Sequence, residues 1–271
     1  MALFLWGENL NIIIVGGDKR QTVLYKNLCA LGHNVLHCLN EEIYQKYIDS
    51  YEVVILPLPT TRNNITVSND LSDDLIRLDI IEKSITKQKV LCANYSFKTI
   101  SSTDYAQNDA LALLNAVPTA EGAIALAVNN SDITLWKSNC LVVGFGRTGK
   151  VLADRLNALK ANVTVSARKM NDFALIDTAN LKHIETTNIK KHIDKFDFIF
   201  NTVAFPIIDK TSLELCKKDC LLIELASAPY GIDLESAKEM GIKSILAPGI
   251  PGKTAYITAG NILTEIILKL I

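Results

Sequence analysis

The chain lacks the features that mark several common classes of protein. Its 271 residues carry 28 Lys and Arg against 29 Asp and Glu, a formal net charge of -1, and no block of basic residues. Nucleic-acid-binding domains usually carry a basic stripe, so we expect no nucleic-acid partner. We find no apolar run of the roughly 18 residues that a membrane-spanning helix needs. The apolar residues 1–9 also lack the basic region and long apolar core of a signal peptide, so we expect no membrane association.

Motifs for metal binding and for nucleophilic catalysis are also missing. The six cysteines are scattered without the spacing of a zinc site, so we expect reduced, mostly buried thiols and no metal. The four histidines lie outside the Gly- and Pro-marked loops at strand ends, and no G-x-S-x-G nucleophile elbow is present. Any acid–base catalyst must therefore come from other residue types.

No linker rich in Gly, Ser or Pro interrupts the chain, and strand-like and helix-like segments alternate almost throughout. The run "NIIIVGG" at 11–17 is typical of a strand buried on both faces, and further strands and helices follow to about residue 115. This pattern predicts an α/β fold with a parallel sheet. A composition of 49% hydrophobic residues is ample for packed cores.

The pattern restarts after an Ala-rich stretch. Pro118 and Thr119 precede a helix with apolar residues on most faces, which is typical of a connector between domains. "SNCLVVGFG" at 138–146 then begins a second set of alternating strands and helices. The sequence predicts two doubly wound parallel-sheet domains, a flavodoxin- or Rossmann-like one over 1–117 and a Rossmann domain over 118–253. Residues 254–271 are expected to form a helix that returns to the first domain.

A glycine-rich loop in the second half predicts a dinucleotide site. Gly144, Gly146 and Gly149 match G-x-G-x-x-G between an apolar strand and a helix, the context that the motif requires. The first glycine makes the tight turn, the second admits the pyrophosphate, and the third lets helix and strand pack closely. The alternative is a tight turn without a ligand.

The end of the following strand favours NADP(H) over NAD(H). NAD sites usually have an acidic residue there, whereas this chain has Ser166, Arg168 and Lys169, which suit a 2′-phosphate. The alternative is an exposed Arg-Lys pair. Further candidates for cofactor contacts are Arg147, Thr148, Asn201, Thr202, Pro248 and Gly249.

Loops at other strand ends offer candidates for substrate binding and catalysis. Asp18, Lys19 and Arg20 follow the first strand, where a cationic pair suits a carboxylated substrate; the alternative is a polar turn. Glu121 is a candidate acid–base residue if burial raises its pKa; the alternative is a carboxylate that favours a helix N-terminus. The catalytic candidates are Glu121, Asp18 and Arg20. The substrate-binding candidates are Lys19, Arg20, Thr60, Thr61, Thr119 and Ser227.

Several segments, in matching order along the chain, resemble the family of dipicolinate synthase A subunits from endospore-forming bacteria. They are "NIIIVGGDKRQ", "PTAEGAIALA", "VVGFGRTGKVLA", "ELASAPYGID" and "APGIPGKTAYITAG". The sequence departs from the family pattern at Ala228 and Tyr230, where the family often has an arginine and a glycine. If that arginine binds a substrate carboxylate, either Arg20 or Arg62 does so here or the role is not universal in the family.

The resemblance implies an NADP-dependent oxidoreductase that makes dipicolinate from the dihydrodipicolinate synthase product. It also implies that the partner is the flavoprotein-like B subunit of the same dipicolinate synthase. Further implications are a homo-oligomer and a place in the cytoplasm of the mother cell during sporulation, where dipicolinate serves spore heat resistance. Two other readings stay open. One is a non-catalytic NADP(H)-binding subunit of the same complex, and the other is an adenosylhomocysteinase-like enzyme with tightly held NAD.

Overall fold

The computed structural model describes residues 9–271, so residues 1–8, and with them most of the apolar start, lie outside the described part. The chain divides into two compact units. The first contains the described residues up to Asn115 together with Ala255–Ile271, and the second contains Ala116–Thr254.

The first unit is built on a five-stranded parallel sheet. Its strands lie in the order β2-β1-β3-β4-β5, the flavodoxin-like arrangement. The strands are β1 Asn11–Val15, β2 Asn34–Cys38, β3 Val53–Ile55, β4 Lys89–Cys92 and β5 Thr103–Asp104. The helices are α1 Lys19–Ala30, α2 Glu41–Tyr47, α3 Leu78–Ser84 and the first part of α4 Asp109–Asn129. Residues 12–15 of β1 are fully buried, as the continuous apolar run predicts.

The second unit is built on a six-stranded parallel sheet in the order β11-β10-β9-β6-β7-β8. The strands are β6 Asn139–Val143, β7 Asn162–Ala167, β8 Lys182–Glu185, β9 Phe198–Asn201, β10 Leu221–Glu224 and β11 Ser244–Leu246. The helices are α5 Arg147–Ala158, α6 Met170–Thr178, α7 Lys210–Leu213, α8 Leu234–Glu239 and α9 Ile250–Thr254. Counted from β6, this is the 3-2-1-4-5-6 order of a Rossmann fold, which confirms the predicted fold class.

The C-terminal helix α10, Tyr256–Ile267, belongs to the first unit and packs on α1. Gly260 makes the close approach possible, because a Cβ there would lie 2.5 Å from the Cβ of Val23. Asn27 of α1 donates hydrogen bonds to Asn261 and Thr264 of α10, at 2.9 and 3.0 Å. Apolar residues of α10, Leu263, Ile266 and Ile267, join the core around β1.

The long helix α4 differs from its predicted form. It begins at Asp109 rather than after Pro118, and Pro118 lies inside it. A proline in a helix removes one backbone hydrogen bond, but the alanines at 116, 120, 123 and 127 are buried, and their packing favours a continuous helix. By length and composition this helix is also apolar enough to cross a membrane, contrary to the sequence-based expectation. A core helix passes the same test, and the buried alanine stripe is that of a core helix.

The sequence "DDLIRLDIIEKSI" at 73–85 predicts a helix, and the helix in the structure is shorter. It begins only at Leu78, and Arg77 before it forms an antiparallel bridge with Thr66. Residues 73–77 therefore belong to the loop that follows β3, not to the helix.

Candidate functional site

The glycine-rich loop lies where the strand order of the second unit reverses. Gly144 follows β6 with a φ of 96°, a left-handed conformation that favours glycine. A Cβ at Gly144 would lie 2.5 Å from Val203 and 2.8 Å from the Thr202 hydroxyl, so the loop packs against the end of β9. A Cβ at Gly149 would collide with the carbonyl oxygen of Gly144, so the third glycine lets α5 pack tightly on the loop.

Gly146 is placed differently from the other two glycines. It is exposed, and a Cβ built there would have nothing within 4 Å. It is also the N-cap of α5, and because glycine has no side chain it makes no capping hydrogen bond to the first amides of that helix. Open space in front of uncapped helix amides is the cradle that a pyrophosphate needs, so these residues fit a dinucleotide. Arg147 is exposed and Thr148 half-buried in the first turn of α5.

The end of β7 presents two cations. Arg168 and Lys169 are exposed, and neither side chain has a hydrogen-bond or ion-pair partner among residues 9–271. Ser166, by contrast, is fully buried, and its hydroxyl accepts a hydrogen bond from the Gly144 amide at 3.3 Å. The Ser166 side chain therefore contacts the backbone of the glycine loop and stabilises its shape. A carboxylate does stand on the neighbouring strand: Glu185 of β8 is the register partner of Ala167, and it accepts a hydrogen bond from Asn188.

The remaining cofactor candidates lie at the carboxyl ends of β9 and β11. The Asn201 side chain is buried and bonded to Val203 and Glu224, and the Thr202 hydroxyl donates to the carbonyl oxygen of Val143 at 2.8 Å. Their polar atoms thus hold the strand ends together. Pro248 and Gly249 are exposed after the edge strand β11.

In the first unit, Asp18 and Arg20 are bonded to each other. The Asp18 carboxylate caps α1 and accepts hydrogen bonds from Nε and Nη2 of Arg20, and Nη2 also donates to the carbonyl oxygen of Leu58. The two side chains are only 18% and 11% exposed, respectively. Both charges are therefore used in fixing the turn after β1, although Nη1 of Arg20 has no partner among the described residues. Lys19 is exposed, and its ammonium lies over the Tyr256 ring.

The glycine pair after β1 serves chain packing. The Gly17 amide donates to the carbonyl oxygen of Ser68 at 2.8 Å, and a Cβ at Gly16 would lie 2.8 Å from the same oxygen. The space in front of this turn is filled by the loop around Ser68, whereas the space in front of Gly146 is open. The open space that a phosphate needs is therefore present at Gly146 in the second unit and absent at Gly16 and Gly17.

The threonines of the 57–61 turn have local partners. Thr60 is fully buried, and its hydroxyl donates to Pro57 and accepts from the Ala93 amide. The Thr61 hydroxyl accepts from the amides of Asn63 and Asn64. Thr60 is thus enclosed in the turn, and only Thr61 of the two is partly exposed.

The other candidates for catalysis and substrate binding are scattered over the second unit. The burial that Glu121 needs as an acid–base residue is not present: its carboxylate is 63% exposed and pairs with Arg155. Thr119 is half-buried in α4, and Ser227 is exposed in the loop after β10.

Sequence reasoning missed one charged residue at the strand ends of this unit. Glu224, the last residue of β10, is fully buried, and its carboxylate accepts four hydrogen bonds. A carboxylate that ends an apolar strand and precedes a turn is the signal that identifies it, since charged residues are almost never fully buried unless paired.

The comparisons with known proteins agree with this architecture. Residues 11–116 match the model of the N-terminal domain of the dipicolinate synthase A subunit. Residues 121–230 match that of the D-isomer specific 2-hydroxyacid dehydrogenase NAD binding domain. The second match indicates a nicotinamide dinucleotide as cofactor. A transhydrogenase from Sinorhizobium meliloti shares the fold at 11% identity and a TM-score of 0.69, over 96% of this chain and 92% of that one.

Relatives at 27–32% identity over nearly the whole chain are described as dipicolinate synthase A subunits. The chain is 32% identical to the dipicolinate synthase A subunit of Bacillus subtilis (strain 168), over 97% of this chain and 96% of that protein. The crystal structure of the A subunit from Bacillus halodurans matches with a TM-score of 0.86 at 27% identity, over 97% and 99% of the two chains. That of Bacillus subtilis matches with a TM-score of 0.84 at 30% identity, over 97% and 96%. The chain thus belongs to the family of dipicolinate synthase A subunits, as its motifs predict.

Proposed function

We propose that this protein is an NADP-dependent dehydrogenase that forms dipicolinate from the dihydrodipicolinate synthase product. The observation that carries the choice of NADP is the end of β7. Two exposed cations without partners, Arg168 and Lys169, stand where NAD-specific sites have a carboxylate. A guanidinium there binds a 2′-phosphate with charge-assisted hydrogen bonds.

The loop residues of the second unit have separate tasks in this proposal. The open side of Gly146 and the first amides of α5 hold the pyrophosphate, and Gly149 keeps α5 close to β6. Ser166 fixes the Gly144 amide and so the shape of the loop. When bound, the nicotinamide nucleotide accepts the hydride that leaves the substrate.

The substrate loses one water and two hydrogens in becoming aromatic, and the hydrogens leave as a hydride and a proton. Its two carboxylates need cationic or amide-rich partners. In the first unit, Lys19 is exposed and Nη1 of Arg20 has no partner among the described residues, so these two groups are our candidates for carboxylate binding. Thr61, Thr119 and Ser227 remain candidates for further contacts, and Asp18 acts by orienting Arg20.

The descriptions of the relatives support a proposal about the partner and the location of this protein. They are described as one subunit of a synthase, which implies a second, and we propose that the partner of this chain is a flavoprotein-like B subunit. We further propose a homo-oligomer in the cytoplasm of the mother cell of a sporulating bacterium.

One observation favours a second function, that of a cofactor-binding subunit without its own acid–base catalyst. Asp18 and Arg20 are bonded to each other, and Glu121 is exposed and paired with Arg155. In this alternative, the B subunit supplies the residue that removes the proton.

A coupled assay separates the two functions. Dipicolinate formation is followed by its ultraviolet absorbance with dihydrodipicolinate synthase, its substrates, and NADP+ or NAD+, adding this protein alone or with the B subunit. We expect faster formation with NADP+ and this protein alone. Turnover only with both subunits supports the second function, and equal rates with NAD+ and NADP+ contradict the assignment of NADP.

A further inference from the structure

The carboxylate of Glu224 joins two loops at the carboxyl edge of the second sheet. One oxygen, Oε1, accepts hydrogen bonds from Nδ2 of Asn201 at 2.7 Å and from the Ala226 amide at 2.9 Å. The other, Oε2, accepts from the amides of Gly231 and Ile232, both at 3.0 Å. The end of β9 and both ends of the loop 225–232 are therefore tied to one side chain.

All four partners of Glu224 are N–H donors, so the site requires a group that only accepts. An ionised carboxylate does so, and the four bonds compensate for the burial of its charge. A glutamine of the same shape would direct its own N–H groups at some of these donors. The environment therefore selects glutamate through hydrogen-bond polarity as well as size.

The same hydrogen bonds continue to the glycine-rich loop. Asn201 also donates to the carbonyl oxygen of Val203 and accepts from its amide, which fixes the chain just beyond β9. Val203 and Thr202 are the residues that Gly144 packs against. One network thus links three neighbouring strands, β6, β9 and β10, at the edge where the dinucleotide is proposed to lie.

Gly231 is part of this arrangement for a steric reason. A Cβ at this position would collide with the amide group of Asn201. Only glycine therefore lets the end of the loop 225–232 approach both Asn201 and Glu224. Between the tied ends, residues 227–230 are exposed.

We propose that Glu224 is a positioning residue that holds the loops after β9 and β10 in the arrangement that binds the nicotinamide half of the cofactor. The proposal rests on the proposed function. In a Rossmann fold the dinucleotide extends over two mononucleotide-binding halves, and the loops after β9 and β10 belong to the second half. A loop that is already ordered loses less conformational entropy on binding, so the tie at Glu224 strengthens binding.

The test compares Glu224→Gln with Gly231→Ala, which disturbs the same network without a change of charge. Glu239→Gln is the matched control, because its carboxylate is 69% exposed and pairs only with Lys210 among the described residues. NADPH binding is measured by fluorescence, and binding of adenosine 2′,5′-bisphosphate, which lacks the nicotinamide half, by calorimetry. Hydrogen exchange of the amides at 226, 231 and 232 is recorded without ligand.

We expect both network variants to bind NADPH about tenfold more weakly while their affinity for adenosine 2′,5′-bisphosphate changes by less than about twofold. Their amides at 226, 231 and 232 exchange faster than those of the control. A general loss of structure would weaken both ligands alike, and that result overturns the positioning role, as does unchanged NADPH binding. If the Glu224→Gln variant does not fold, the binding results for Gly231→Ala alone test the positioning role.

Failure of the proposed function is visible separately, in the unmodified protein. If wild type does not bind NADPH, both the cofactor assignment and the positioning role are wrong. If wild type binds NADPH and neither variant loses affinity, only the role of Glu224 is wrong.

Discussion

At the scale of single residues, the proposed NADP site predicts that Arg168 sets the preference of the second unit between the two nicotinamide dinucleotides. Its guanidinium is exposed and free of partners among the described residues. We expect Arg168→Ala to raise the Kd for NADP+ by about ten- to a hundredfold, the loss of one or two hydrogen bonds to a charged group. The Kd for NAD+, which has no 2′-phosphate, should change little. Calorimetric titration of the wild type and the variant with each cofactor measures these Kd values.

The control for this prediction is Arg77→Ala, which removes an exposed arginine that pairs with Asp79 in the first unit. It should leave both Kd values unchanged. Equal weakening of NAD+ and NADP+ by Arg168→Ala would mean that the guanidinium contacts a group common to both cofactors.

Alanine in place of Gly146 should weaken cofactor binding, whereas alanine in place of Gly149 should lower the stability of the fold. Gly146→Ala puts a methyl group into open space at an ordinary backbone angle, so we expect a small change in the free energy of unfolding and about tenfold weaker cofactor binding. Gly149→Ala collides with the Gly144 carbonyl and should destabilise the fold by about 1–3 kcal/mol. Urea unfolding and NADPH titration of both variants test this. Unimpaired binding by Gly146→Ala would place the pyrophosphate elsewhere.

The sequence predicted the glycine loop more fully than it predicted catalysis, and the reason lies in the range of the interactions. The left-handed turn at Gly144 and the packing of Gly149 on the Gly144 carbonyl lie within one strand–turn–helix segment, which a motif records. The state of Glu121 depends on Arg155, 34 positions away, and that of Arg20 on Leu58, 38 positions away. A sequence pattern does not contain such contacts, so the exposure of Glu121 could not be predicted.

At the scale of helices and strands, the close packing of α10 on α1 makes residues 255–271 part of the first unit. Gly260→Ala would place its Cβ 2.5 Å from that of Val23 and 3.0 Å from the carbonyl oxygen of Arg20. We expect this overpacking to destabilise the first unit by about 1–3 kcal/mol. Urea unfolding measures the loss, and Gly146→Ala, with open space around its Cβ, is the matched substitution. Equal stability of the two variants would show that α1 and α10 separate easily.

Secondary structure could be predicted from the sequence where a run of residues is continuously buried. The prediction failed where burial is partial. Strands such as β1 and β6 are buried apolar runs and were identified. The edge strand β8, Lys182–Glu185, has three exposed residues of four and no apolar run, so it was missed. The helix α4 was predicted too short because Pro118 is a strong local stop signal, which the tertiary packing of the alanines overrides.

At the scale of the whole molecule, burial of ionisable groups should limit stability in alkali. In the second unit, burial raises the pKa of Cys140 to about 12, against an unfolded value of 9.0. In the first unit, burial raises the pKa of Tyr44 to about 12, against 10.0. In each case the neutral form is favoured in the folded state. The contribution of each group to the free energy of unfolding is therefore fully present below its unfolded pKa. It is lost as pH rises from the unfolded pKa toward the folded pKa.

Cys140→Ala should accordingly flatten the dependence of stability on pH. Between about pH 9 and pH 12 the unfolded thiol ionises while the folded one does not, so this group alone costs about 1.4 kcal/mol per pH unit. Urea unfolding near pH 8 and near pH 10.5 measures the slope for wild type and variant. The variant should be less stable near pH 8, because a buried side chain is truncated, yet lose less stability on going to the higher pH. Val142→Ala truncates a fully buried side chain of the same strand that carries no ionisable group, so it should lower the stability but keep the wild-type slope. If Cys140→Ala also keeps it, the thiol ionises as readily in the folded state as in the unfolded chain, and the core around β6 admits water.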